Sequence, residues 1–113
     1  MHEYSIVEAI IGRIEEEVRR QNATAVHRVE IRVGDLAGVE RELLASAWET
    51  FKAGSCCANT ALVIHGRAAR WGCSGCDRRI EAGGDLQCPT CGGAARLVEG
   101  AELLLERIEL EVA

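Results

Sequence analysis

Four cysteines carry the plainest chemistry in this 113-residue chain. Cys73-x2-Cys76 and Cys88-x2-Cys91 are two pairs of identical spacing, with eleven residues between them. Each pair can turn two sulfurs toward one ion, the first sulfur inward and the following backbone amides donating to it. Four thiolates in a closed tetrahedron suit Zn(II), with Zn–S bonds of about 2.3 Å. Protein then fills every coordination position, so a substrate has no place to bind and the zinc is structural. Gly75 and Gly92, beside Cys76 and Cys91, allow tight turns.

Two other chemistries use the same residues. A redox dithiol needs only one such pair, and neither pair sits in a thioredoxin-like context. Iron stays open, because Cys88-Pro89-Thr90-Cys91-Gly92 is similar to a rubredoxin knuckle. The colour of the loaded protein separates colourless zinc from red iron.

Met1-His2-Glu3 offers a second kind of site. The terminal amine, the amide nitrogen of residue 2 and the His2 ring can close adjacent small chelate rings around one metal. A deprotonated amide nitrogen favours square-planar Ni(II) or Cu(II) and suits zinc less well. Glu3, through backbone or side chain, can complete the set. A histidine here is more often a plain surface residue, so the spacing alone is a weak signal and leaves both readings open. Free amine and imidazole titrate near ~8 and ~6.5, so metal held by them is lost as the solution is acidified. His2 also predicts that Met1 is retained, because the processing enzyme prefers small neighbours.

The elements that must position these residues are legible from periodicity. Val7, Ile10, Ile11, Ile14 and Val18 recur at helical spacing. Ser5 and Glu8 form a capping-box pattern that starts the helix near Ser5, which leaves residues 1 to 4 as a reachable arm. Gln21 to Thr24 ends it. Val29, Ile31 and Val33 alternate with Arg28, Glu30 and Arg32 as a half-buried strand, closed by a turn at Gly34 to Gly38. A second helix runs from about Glu40 to Ala53, with Leu43, Leu44, Ala47, Trp48 and Phe51 as its apolar face and Gly54 as its stop. A strand from about Ala61 to Arg67 follows. Between residues 70 and 100 the character changes: seven of the twelve glycines, the only proline and four cysteines lie there. So few apolar residues cannot fold this segment alone, and a metal must supply the missing stability. The last strand spans about Glu102 to Val112. Its apolar residues switch parity between Leu105 and Ile108, which requires either a bulge near Glu106 or two covered surfaces. The insert thus lies between two strands, with residues 66–72 and the region of Gly100 as candidate hinges.

Composition narrows the function classes. Thirteen basic and 18 acidic residues give a net charge of -5, which has no long-range attraction for phosphate backbones. Nucleic acid is not an expected partner. No apolar run approaches the ~20 residues that span a bilayer, and the amino end lacks a signal-peptide pattern. A cytoplasmic protein is expected, in which six cysteines are not a disulfide framework. There is no nucleophile–base pair, phosphate loop or open metal position, so the chain is read as no enzyme.

Taken together, Met1-His2-Glu3 with Ser5, the stretch from Glu30 to Val39 (Glu-Ile-Arg-Val-Gly-Asp-Leu-Ala-Gly-Val), the two cysteine pairs and the Leu/Glu-rich final strand resemble the HypA/HybF family of hydrogenase nickel-incorporation proteins. The resemblance covers essentially the whole chain. It implies an α/β (α+β) fold: two helices packed on a three-stranded mixed sheet, with a four-cysteine zinc ribbon inserted before the last strand. The implied division is a nickel-binding domain of residues 1–69 plus 101–113 and a zinc-binding insert of residues 70–100. It also implies a nickel metallochaperone serving NiFe hydrogenase and, in some organisms, urease. Carried over residue by residue, Met1, His2 and Glu3 hold Ni(II) as transient cargo, and Cys73, Cys76, Cys88 and Cys91 hold structural Zn(II). The implied partners are the GTPase HypB and the hydrogenase large-subunit precursor, with the chain itself a monomer or weak homodimer. The competing reading is a zinc-ribbon interaction adaptor without nickel delivery.

One pair departs from that pattern, and several other residues carry plainer readings. Cys56-Cys57 is that pair and reads as two small residues in a loop after the second helix, or as a pair for accessory soft-metal binding or oxidation-linked dimerisation. His27 and His65 read as sheet-surface residues. Trp71 reads as packing beside the metal knuckle. Asp35 and Glu40 flank a turn that can approach the amino-terminal arm.

Overall fold

A computed structural model of the chain describes residues 3–81 and 86–113. Helix α1 (Glu3–Gln21) leads into strand β1 (Ala23–Gly34), helix α2 (Arg41–Lys52) and strand β2 (Ala61–Arg67). Short strands β3 (Arg70–Cys73), β4 (Arg79–Ile80) and β5 (Ala95–Glu99) come next, followed by β6 (Leu103–Val112). These strands form two sheets, of order β2-β1-β6 and β4-β3-β5. β1 and β2 run parallel, Arg28 opposite Ala61 through Gly34 opposite Arg67, and α2 is the crossover that a parallel pair requires. β6 pairs antiparallel on the other side of β1. The first sheet is therefore mixed and carries both helices, as expected.

Apolar periodicity builds that body. Val7, Ile11 and Ile14 of α1 are buried against Val26, Val29, Ile31 and Val33 of β1 and against Leu44, Ala47 and Trp48 of α2. Leu43 does not join them. It is 51% exposed, one position around the helix from Leu44, so the buried face of α2 is narrower than its apolar stripe. Ala53 at the helix end is right-handed and Gly54 does not take a positive φ, so the helix has no left-handed glycine stop there.

α1 also begins earlier than its capping-box pattern suggests. Glu3 and Tyr4 are helical. The Glu3 carboxylate accepts the Glu40 N–H at 3.2 Å, and the Tyr4 ring meets Phe51 edge-on with centroids 5.3 Å apart. Contacts 37 and 47 residues away thus extend the helix into the expected arm. At its other end Asn22, at φ 54, turns the chain directly into β1, a conformation that asparagine tolerates.

The parity switch in β6 is a bulge. Glu30 pairs with Arg107 but Ile31 pairs with Leu105, which leaves Glu106 as the extra residue. Leu103, Leu105, Ile108 and Leu110 all pack on the same core as a result. Arg32 grips the bulged Glu106 with two hydrogen bonds of 3.2 and 3.1 Å.

Acid should weaken this body. Glu30 is held below the usual 4.5 by its hydrogen bond with His65, and Glu106 by its bonds from Arg32. Glu17 and Glu102 are lowered by hydrogen bonds from Arg20 and from the Gly100 amide. A carboxyl depressed on folding stabilises the fold above its unfolded value, and that contribution disappears as pH falls through the folded value. The urea midpoint is thus expected to be flat near neutrality and to drop once pH passes below about 4.5. A midpoint that rises on acidification contradicts these pairings.

The two sheets meet at a backbone crossing. The Gly34 N–H donates to the Glu102 carbonyl at 2.8 Å, Asp35 to Arg67 at 2.8 Å, and Leu36 to Gly100 at 2.7 Å. The Gly100 N–H donates to the Glu102 carboxylate at 2.8 Å. Gly100 has φ +117, and a Cβ there would lie 2.5 Å from Ala69 Cα. A Cβ on Gly34 would lie 2.1 Å from the Gly100 carbonyl oxygen. The candidate hinges therefore pass through a pinned crossing. Gly100→Ala is expected to cost about 1–3 kcal/mol from backbone strain alone. By contrast, Gly12→Ala in α1, where a Cβ meets nothing within 4 Å, should stabilise by roughly 0.5–1 kcal/mol. Urea titration of both variants checks the contrast, and equal midpoints would refute it.

Candidate metal centre

Cys73 ends β3, and Cys88 follows the isolated bridge between Gln87 and Ala94. From these anchors the chain makes two knuckles with one hydrogen-bond pattern. Asp77 N–H donates to Cys73 O at 3.0 Å, and Gly92 N–H to Cys88 O at 2.9 Å. Cys73 N–H donates to Arg78 O at 2.8 Å, and Cys88 N–H to Gly93 O at 2.8 Å. Each knuckle needs one left-handed residue, and these are Asp77 at φ 62 and Gly92 at φ 74. Gly92 thus makes the tight turn expected of it, whereas in the first knuckle Asp77 and not Gly75 takes that conformation. The Asp77 carboxylate is tied to Arg96 of β5 at 2.7 Å, and Arg78 reaches Thr90 of the other knuckle at 3.2 Å.

The knuckles bring all four predicted sulfurs together, within 4.8 Å of one another. Cys73 and Cys91 sulfurs are 3.3 Å apart, and those of Cys76 and Cys88 are 3.7 Å apart. A tetrahedral ion with bonds of about 2.3 Å spaces its sulfurs about 3.8 Å apart, so the cluster fits a tetrathiolate zinc. The first cysteine of each pair is buried and the second exposed. Gly93 makes room for them, since a Cβ there would lie 2.8 Å from the Cys73 sulfur. Nothing in the spacing of the pairs signals that role.

Charge at the cluster follows its geometry. The amides of Cys76 and Gly75, at 3.4 and 3.3 Å, hold the Cys73 thiol below its ordinary value. The amides of Cys91 and Thr90 bring Cys88 down to about 6. Cys91 receives a favourable bond from the Gly93 amide, yet the Cys73 and Cys76 sulfurs beside it push it up to about 12. The cluster resists its last negative charge, and a divalent cation is the group that offsets it. Behind the sulfurs the core among the described residues is small: Cys73, Ile80 and Cys88 are buried, with Trp71 and Ala95 packed on them.

The predicted amino-terminal site falls partly outside the described residues, which do not include Met1 and His2. Glu3 opens α1 beside the Glu40 amide. That loop borders a shallow cavity of about 510 Å³ lined by Gly34, Asp35, Val39, Glu40, Arg41 and Glu42. Asp35 is bonded to Arg41. His27 and His65 pair with Glu111 and Glu30 on the sheet surface, at 3.0 and 2.7 Å. Among the described residues no other set of three or more His, Cys, Asp or Glu side chains converges as the four cysteines do. No helix among them is long and apolar enough to cross a membrane.

Comparison with known proteins gives a consistent result. Residues 1–110 match the family model described as "Hydrogenase/urease nickel incorporation, metallochaperone, hypA". The hydrogenase maturation factor HypA of Shewanella halifaxensis is 39% identical, with 100% of both chains covered. Its Aquifex aeolicus namesake is 34% identical over 99% of both. Among solved structures, the Ni metallochaperone HypA from Helicobacter pylori aligns with a TM-score of 0.73 at 26% identity, covering 100% of both chains. A solution structure of a HypA protein aligns with a TM-score of 0.80 at 27% identity, covering 100% of this chain and 98% of that one.

Proposed function

This chain belongs to the HypA family of nickel-incorporation metallochaperones, and from that membership we propose that it carries Ni(II) at its amino end and delivers it for NiFe hydrogenase maturation. Urease is a second candidate recipient. The Met1 amine, the backbone nitrogen of residue 2 and the His2 imidazole are the ligands, with Glu3 completing the set. Cys73, Cys76, Cys88 and Cys91 hold a structural Zn(II). Residues 1–69 with 101–113 act as the nickel-carrying body and residues 70–100 as the zinc insert. The GTPase HypB and the hydrogenase precursor are the partners, in the cytoplasm. The chain acts as a carrier rather than an enzyme, as a monomer or weak homodimer.

The supporting observation is a family match that begins at residue 1, so that Met1, His2 and Glu3 lie inside the matched span. A carrier needs selectivity without a closed cage. Three nitrogens near one plane favour square-planar Ni(II) over zinc by geometry, and against Cu(II), which takes the same geometry, selection rests on which metal is available to the site. A site built on a chain terminus lets acceptor ligands replace the chain's ligands one at a time. In the zinc set every position is filled by protein, so that ion stays.

Nickel and zinc titrations of tag-free wild type, His2→Ala and a variant with one residue added before Met1 test the assignment. Both variants are expected to lose nickel and keep one zinc per chain. Unchanged nickel uptake in either leaves only a zinc-stabilised adaptor. Wild-type nickel affinity is also expected to fall as pH drops below ~8 and again below ~6.5, where the amine and then the imidazole take up protons. A pH-independent affinity over that range contradicts these ligands.

A further inference from the structure

Two thiols stand outside the four-cysteine centre. Cys56 and Cys57 lie between α2 and β2, their sulfurs 3.8 Å apart. Cys56 is exposed, whereas Cys57 is 0% exposed and belongs to the core cluster that contains Trp48. Local bonds hold the turn. The Ser55 amide and hydroxyl donate to Lys52 O at 3.0 and 2.8 Å. The Ser55 hydroxyl oxygen accepts the Cys57 N–H at 3.0 Å, and the Thr60 N–H donates to Cys57 O at 2.9 Å. These bonds run within residues 52–60, and Thr60 is further tied to Trp48 and to Val26 of β1, so only residues 55–59 can shift without breaking a hydrogen bond to the sheet.

The pair suits one class of ligand. Burial, and next the neighbouring Cys56, push the Cys57 thiol up to about 12. A divalent metal needs thiolates, and here one of the two is withheld near neutrality. Trivalent arsenic does not need them, because its oxygen carries the thiol protons away as water. Its pyramidal geometry also keeps two sulfurs close together, where a linear two-coordinate ion would force them apart.

We propose that Cys56 and Cys57 form a chelating site for trivalent arsenic, taking a monosubstituted arsine oxide across the two sulfurs. In the balanced step R–As=O reacts with both thiols. Two As–S bonds form, the As=O bond is lost, and both thiol protons leave on its oxygen as one water. No atom changes oxidation state. The exposed Cys56 bonds first. Cys57 then closes the ring intramolecularly as the turn relaxes.

The test uses the full metal-loaded chain and phenylarsine oxide, read by native intact mass and zinc content. Wild type is expected to gain one phenylarsenic group, keep its zinc, and release the group to 2,3-dimercaptopropanol but not to an equivalent of 2-mercaptoethanol. Cys56→Ser, at an exposed position that leaves the core intact, should weaken uptake by about a hundredfold or more through loss of the intramolecular second bond. Cys57→Ala should do the same. Wild-type uptake in Cys56→Ser, or zinc released in proportion to arsenic gained, overturns the proposal.

Discussion

Stripping the metal from the four-cysteine centre is expected to unfold residues 70–100 and to leave the helix-and-sheet body standing. The second sheet is slight: β4 has two residues, β3 four and β5 five. Among the described residues its buried core is Cys73, Ile80 and Cys88 with Trp71 and Ala95 beside them, and two of these three buried residues belong to the four-cysteine set. Structural zinc contributes on the order of 10–16 kcal/mol of apparent folding free energy in zinc-finger peptides, far more than so few apolar contacts supply. The other core draws on both helices and three strands and owes nothing to the sulfurs. Hydrogen exchange before and after chelation reads the difference. The amides of Cys73, Asp77, Cys88 and Gly92, bonded across the knuckles, should lose protection, while those of β1 between Val29 and Val33 keep it. Full protection of the knuckle amides in metal-free protein would show that the insert folds on its own contacts.

Trp48→Ala is the second large effect, and it falls on the other core. Trp48 is 1% exposed and lies under α2 where helix and sheet meet. Its indole N–H donates to Thr60 O at 3.3 Å, and the buried Thr60 hydroxyl donates onward to Val26 O at 2.8 Å. This chain of contacts joins α2, the turn before β2 and the central strand. Truncation removes the largest fully buried side chain and leaves a cavity among branched neighbours, at a cost of roughly 3–5 kcal/mol. That is a large share of the ~5–15 kcal/mol that holds a domain folded. Trp48→Phe, which keeps most of the ring and loses one hydrogen bond, should forfeit much less of it. Urea unfolding with the far-ultraviolet signal of the helices measures both variants. A loss below about 1 kcal/mol for Trp48→Ala would mean that α2 is not held at this point.

Much of the architecture is legible in the amino-acid sequence. The strand expected from Ala61 to Arg67 has those bounds, because a short apolar run between turn residues has few ways to pair. The parity switch in the last strand was visible as two incompatible alternations, and one extra residue at Glu106 reconciles them. The helix start was misjudged for a physical reason. Ser5 and Glu8 make a local cap pattern, but the Glu3 carboxylate finds the Glu40 amide instead, and no local rule contains that partner. Asp77 was missed likewise: it occupies the position that Gly92 holds in the other knuckle, with its side chain anchored by Arg96. The exposure of Leu43 shows the same limit, since a helical stripe says which residues share a face but not how much of that face the sheet covers.

Periodicity and ligand spacing are local quantities, and they sufficed for the two helices, for the strands of the first sheet and for a four-sulfur metal set in this chain. The amino-terminal nickel set was read from three adjacent residues as well, but Met1 and His2 lie outside the described residues. Long-range contacts decided the remainder. The order β2-β1-β6, the glycine crossing of Gly34 on Gly100 and the burial of Cys57 beside an exposed Cys56 depend on residues that meet only after the chain has folded. No window along the sequence holds both partners of such a contact, so tertiary packing alone could choose among the arrangements that local chemistry permits.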